Sequence, residues 1–160
     1  MRVKDIIDED FVNYKDPSMF IATCFCTWKC PKELGIDISI CQNEPIAKMP
    51  NIEMPVDEIF HRYSQNPITS AIVIGGLEPM LQFKEVIELI KYFRERGCDD
   101  TFVIYTGYYP QEVQEQISQF KQFKNIVIKF GRYQPNQKPH LDEVLGVNLI
   151  SDNQYAEQIS

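Results

Sequence analysis

Apolar positions along this chain recur in two distinct periods. The continuous run Ala71-Ile72-Val73-Ile74, stopped by Gly75-Gly76, reads as a strand covered on both faces. Before it, Val56, Ile59, Phe60 and Tyr63 fall on one helical face that ends at Asn66-Pro67. After it, Phe83 to Phe93 repeats the helical period up to Gly97. Thr101 to Tyr105 is the next strand, Pro110 to Phe123 the next helix, and Asn125 to Phe130 a further strand. Met19 to Thr23 is a shorter strand-compatible run that leads into a group of cysteines. Strand-helix alternation at this spacing predicts right-handed crossovers and an α/β fold with a mostly parallel sheet. Pro31 to Pro55 holds four prolines and little periodicity, which predicts a long loop, and long loops usually carry function. Beyond Gly131 the pattern predicts no element.

A length of 160 residues with 44% apolar and 24% charged positions suits one globular domain over 1–160. The balance of 16 basic against 23 acidic residues gives a net charge of −7, the wrong sign for a chain held to nucleic acid by phosphate neutralisation. No apolar run approaches the roughly 20 residues of a membrane-spanning helix, and Met1 to Asp10 is too acidic for a signal peptide. The expected setting is cytoplasmic.

Cysteine usage changes the picture from fold to chemistry. Cys24, Cys26, Cys30 and Cys41 lie within eighteen positions, and Cys98 makes the total five. In a reducing compartment such clustering points to a metal or redox site, whereas the solitary Cys98 reads as a small hydrophobe. Two alternatives stand. Four thiolates that include Cys24 could close a structural zinc site and make the chain a non-catalytic zinc-binding interaction module. Three thiolates, Cys26, Cys30 and Cys41, could hold a four-iron cluster with one iron open to an outside ligand. Trp28, between two of the cysteines, would shield such a site or be plain core. His61 and His140 have no ligand-spaced partner and read as surface residues.

A second feature follows the first buried strand. In Gly75-Gly76-Leu77-Glu78-Pro79 the glycines let a ligand approach the backbone and Glu78 offers a carboxylate to a cationic amine. Ligands of open α/β sheets sit at the carboxyl ends of the strands, where this segment lies.

These motifs resemble the radical S-adenosylmethionine (SAM) enzymes, and within them the activating proteins of anaerobic ribonucleotide reductase. Cys26, Cys30 and Cys41 look like the family's C-x3-C-x2-C with an insertion before the third cysteine. Gly75 to Pro79 looks like its G-G-E-P segment with one residue inserted. Thr106-Gly107-Tyr108 resembles its T-G-Y turn, and Ser151 to Gln154 its S-x-N-Q segment. The resemblance implies a partial (βα) barrel in which Cys26, Cys30 and Cys41 hold a 4Fe-4S cluster. It places SAM against Gly75, Gly76, Glu78, Thr106 and Asn153. It implies reductive cleavage of SAM to a 5′-deoxyadenosyl radical, a glycyl-radical enzyme as protein substrate, and an electron donor such as a flavodoxin or ferredoxin.

Overall fold

In the computed structural model, which describes residues 1–160, six strands form the main sheet in the order β10-β7-β6-β5-β3-β2. Its four central strands, β3 (Ser18–Ala22), β5 (Ala71–Gly75), β6 (Thr101–Tyr105) and β7 (Ile126–Phe130), are mutually parallel. The edge strands β2 (Asp5–Asp10) and β10 (Tyr155–Gln158) run antiparallel to their neighbours. A short pair, β1 (Arg2–Val3) with β4 (Ile52–Glu53), and a hairpin, β8 (His140–Asp142) with β9 (Val147–Leu149), stand apart from this sheet.

The parallel strands lie side by side in chain order, so every crossover winds the same way. Helices α3 (Val56–Gln65), α4 (Phe83–Glu95) and α5 (Gln114–Phe120) therefore pack on one face. Each strand alternates between the two faces. Met19, Ile21, Ile72, Ile74, Phe102, Ile104, Ile126 and Ile128 point to the helices and join a 20-residue core. Val86, Leu89, Ile90 and Phe93, at helical spacing on α4, complete it. The Phe93 ring meets those of Phe60, Phe102 and Tyr63 at 5.0, 5.3 and 5.4 Å. Burying each such side chain contributes about 1.5–3 kcal/mol.

On the opposite face Ala71, Val73, Val103 and Val127 meet Tyr14 and the hairpin residues Leu145 and Leu149 in a separate, eight-residue cluster. No helix covers this side. The β8–β9 hairpin, which the sequence pattern did not predict, takes the place of one.

The segment from Pro31 to Pro55 is less irregular than its prolines suggest. It contains α1 (Lys29–Leu34), a 3-10 turn (Ile38–Ile40), α2 (Glu44–Lys48) and β4. These pieces are tied to the N-terminus: the Lys4 ammonium donates to the carbonyls of Ala47 and Met49 at 3.0 and 2.5 Å, and β4 pairs with β1. The predicted helix from Pro110 to Phe123 splits into a 3-10 turn (Pro110–Glu112) and α5. No helix of the chain is long and apolar enough to cross a membrane.

Candidate functional site

The carboxyl ends of β3, β5, β6 and β7 open onto a cavity of about 280 Å³ on the face opposite the helices. Backbone bonds tie the strand ends in two pairs, β3 with β5 and β6 with β7. The Thr23 N–H donates to Gly75 O, that of Glu78 to Phe25 O, and that of Thr106 to Lys129 O. Gly76 sits at φ +75°, a conformation that L side chains rarely adopt, and a Cβ there would stand 3.0 Å from the Ala22 Cβ. Strands β3 and β5 can close on one another at the cavity rim only because that side chain is missing.

Cys26, Cys30 and Cys41 all line the cavity, together with Gly76, Glu78, Thr106 and Gly107. Cys26 follows β3 directly. Cys30 is on α1, which starts from Trp28 in the left-handed region at φ 59° and so folds back towards the sheet. That turn aims the Trp28 N–H at Cys26 Sγ, 3.3 Å away. Cys41 ends the 3-10 turn of the inserted segment. Burial pushes the Cys26 thiol up to about 11, and the charges of Glu78, Cys30 and Cys41 add to that push. The other two cysteines stand elsewhere. Cys24 is buried beside Lys4, Arg2 and Glu85, and Cys98 adjoins Asp100 and Arg94. No three Cys, His, Asp or Glu side chains converge on a point that a single ion could occupy.

Glu78 is 6% exposed and held on both oxygens. Its Oε1 accepts from Thr106 Oγ1 at 2.7 Å and Met80 N at 3.1 Å, and its Oε2 accepts from Gly107 N at 2.9 Å. Burial nonetheless raises the carboxyl above its ordinary range. Thr106 thus acts on the cavity partly through Glu78.

Residues 23–154 match the family described as 4Fe-4S single cluster domain. The chain belongs to that family. It is also similar to a protein of Methanocaldococcus jannaschii that carries the provisional name of glycyl-radical enzyme activating enzyme, with 33% identity over 119 residues. That match covers 72% of this chain and 44% of the relative, so the chain spans less than half of the relative's length. No solved structure matches the chain.

Two features of this 4Fe-4S domain were not foreseen from its residues. Gly75 and Asn153 are absent from the cavity lining: Gly75 lies just behind it, where a Cβ would crowd Tyr105 and Phe20, and the Asn153 amide donates to Tyr109 Oη and to Arg132 O, while the adjacent Gln154 faces the cavity. Lys129 of β7, by contrast, lines the cavity although it is 6% exposed. The position after three apolar residues put it on the hairpin side of the sheet, next to Tyr105, where it donates to Gly131 O at 2.9 Å. Burial pushes its ammonium down to about 8, against the pull of Cys30 and Glu78.

A stability measurement follows from that shift. Because the folded value lies below the ordinary 10.5, the penalty is complete below about pH 8 and fades as pH rises towards 10.5. The shift corresponds to about 3 kcal/mol, and losing the bond to Gly131 offsets about 1. Lys129→Met should therefore stabilise the metal-free chain by about 2 kcal/mol at pH 7, read from denaturant midpoints. The advantage should shrink by pH 9.5. Equal stabilities of the two proteins at pH 7 would contradict it.

Proposed function

We propose that residues 1–160 act as one radical SAM-like domain of partial (βα) barrel type. Cys26, Cys30 and Cys41 would hold a 4Fe-4S cluster, and the domain would serve to activate a glycyl-radical enzyme. The observation that carries this reading is the meeting of three thiols with a buried carboxylate on a single cavity, at the carboxyl edge of a parallel sheet. Membership of the 4Fe-4S single cluster domain family supports the cluster, and the name of the methanogen relative supports the activase role.

When bound and reduced, the cluster supplies the electron that breaks the sulfonium C–S bond of SAM. The chain's own residues do the rest by binding and orientation. Glu78 offers the amine of the methionine moiety a carboxylate already fixed by Thr106, Gly107 and Met80. Lys129 gives the same cavity a cation, so that both charges of an amino-acid head group find a partner. Gly75 and Gly76 keep the rim free of side chains. The hairpin residues Val147 to Ile150 line the remaining wall and exclude water from it.

The test is anaerobic reconstitution with iron and sulfide, then reduction in the presence of SAM. About four irons per chain and release of 5′-deoxyadenosine with methionine are expected. Stoichiometric zinc without iron uptake would overturn the reading in favour of an interaction module. Co-expression with the host's anaerobic reductase subunit should give a glycyl-radical signal in electron paramagnetic resonance. SAM cleavage without that signal would remove the partner and leave the chemistry.

A further inference from the structure

Helix α1 carries Cys30 and cannot hold itself. It has six residues, no side-chain cap at its start and one buried residue, Pro31. A helix of this length is unstable alone in water.

What fixes it is a ring of four charged side chains from distant parts of the chain. Arg132, two residues after β7, has a side chain only 6% exposed. Its two terminal nitrogens fork onto both oxygens of Glu112 at 2.9 and 2.6 Å, and its Nε pairs by charge with Glu33 Oε2 at 2.8 Å without making a hydrogen bond. Lys29 closes the ring by donating to Glu112. Lys29 and Glu33, four residues apart on one face of α1, flank Cys30. Aromatic rings back the cations: the guanidinium stands 4.8 Å from the Tyr109 ring centre, and the Lys29 ammonium 4.9 Å from that of Tyr108. The residue after Arg132, Tyr133, lines the same cavity as Cys30. Arg132 also holds the Glu112 carboxyl at about 2, so that carboxylate stays charged under ordinary conditions. Cys41 shares none of these contacts. Its segment is anchored by Lys4 and β1.

We propose that Arg132 is a positioning residue for the cluster: through Glu112 and Glu33 it sets the Cys30 sulfur against the ends of β6 and β7 before any metal arrives. This inference rests on the assignment of Cys30 as a cluster ligand.

Two forms of the full chain test it. In the first, only Cys30 keeps its thiol, the other four cysteines being serine, and its alkylation by a maleimide is timed in the metal-free protein. In the second, all cysteines are native and loss of iron from the reconstituted protein to a chelator is timed. Arg132→Met should speed both about tenfold, the equivalent of one charge-assisted hydrogen bond. Glu112→Gln should act in the same direction, and the double variant should fall short of the product of the two single effects, since both lose the Arg132–Glu112 contact and each loses one contact of its own. Arg132→Lys should recover part of the effect. A matching chain that retains only Cys41 separates positioning from general loosening, because its alkylation should not change. Unaltered Cys30 alkylation in Arg132→Met, or an equal increase at Cys41, would overturn the proposal. Faster Cys30 alkylation in a protein whose parent takes up no iron would overturn the cluster assignment and the cluster role of Arg132 with it.

Discussion

Alanine in place of Cys26, Cys30 or Cys41 is expected to abolish the broad visible absorption of the anaerobically reconstituted protein, whereas Cys24→Ala and Cys98→Ala leave it intact. The physical ground is location. The first three thiols share one cavity wall with Glu78 and Gly107. Cys24, only two residues before Cys26, is turned towards Lys4, Arg2 and Glu85, and its own N–H is bonded to Gln82 Oε1. Cys98 lies between α4 and β6, beside Asp100. A cluster bound by three cysteines has no protein ligand to spare, so each loss should be total. Iron content and absorption spectra of the five variants decide the matter. Stoichiometric zinc without iron, lost on Cys24→Ala as on the other three, would point to a four-thiolate zinc site instead.

The next largest effect is expected at Glu78. Its carboxylate accepts from one hydroxyl and two backbone N–H groups, all within the ends of β5 and β6. Glu78→Ala strands these donors in a buried place, at about 1–3 kcal/mol for each group left unpaired. Destabilisation by about 3 kcal/mol is therefore expected in denaturant unfolding. Glu78→Gln keeps the shape and removes the charge but turns its NH2 towards one of the two backbone N–H groups, so its SAM affinity is read beside its own unfolding midpoint. A charge-assisted bond to the SAM amine is worth roughly 1.5–3 kcal/mol, and the Gln variant should bind SAM about ten- to a hundredfold more weakly. Titration of the reconstituted protein measures this. Unchanged affinity would mean that Leu77, inserted between the glycines and Glu78, has turned the carboxylate away from the ligand.

The parallel core was legible because its strands are buried on both faces. Five consecutive buried positions in Ala71–Gly75 leave a pattern that solvent-facing alternation does not imitate. Strand β2 left no such pattern: Asp5–Asp10 is an edge, four of its six residues are exposed, and its charges mask any strand period while protecting that edge from further pairing. The β8 and β9 strands have three residues each and one buried position apiece, too few to establish a period. At the site, the cysteines and the Gly-Gly-Leu-Glu segment declared themselves by residue type. Lys129 did not, since a lysine in a strand ordinarily marks a solvated face, and only the hairpin makes that face an interior. The Arg132 ring was hidden for another reason. Only Lys29 and Glu33 are related by a local spacing, four residues on α1; Glu112 and Arg132 are brought to them by the tertiary fold.

One-way winding of the sheet separates two kinds of selection. The aromatic and aliphatic mass that keeps the chain folded lies behind the strands, while the residues that would meet a guest lie in front, among a much smaller apolar set. Alternate positions of a single strand therefore answer to different demands: Met19 and Ile21 to folding, Phe20 to the guest. Phe20, Tyr105 and Val147 can therefore change for new molecules while the core on the far side keeps the chain folded, which makes the scaffold permissive to change.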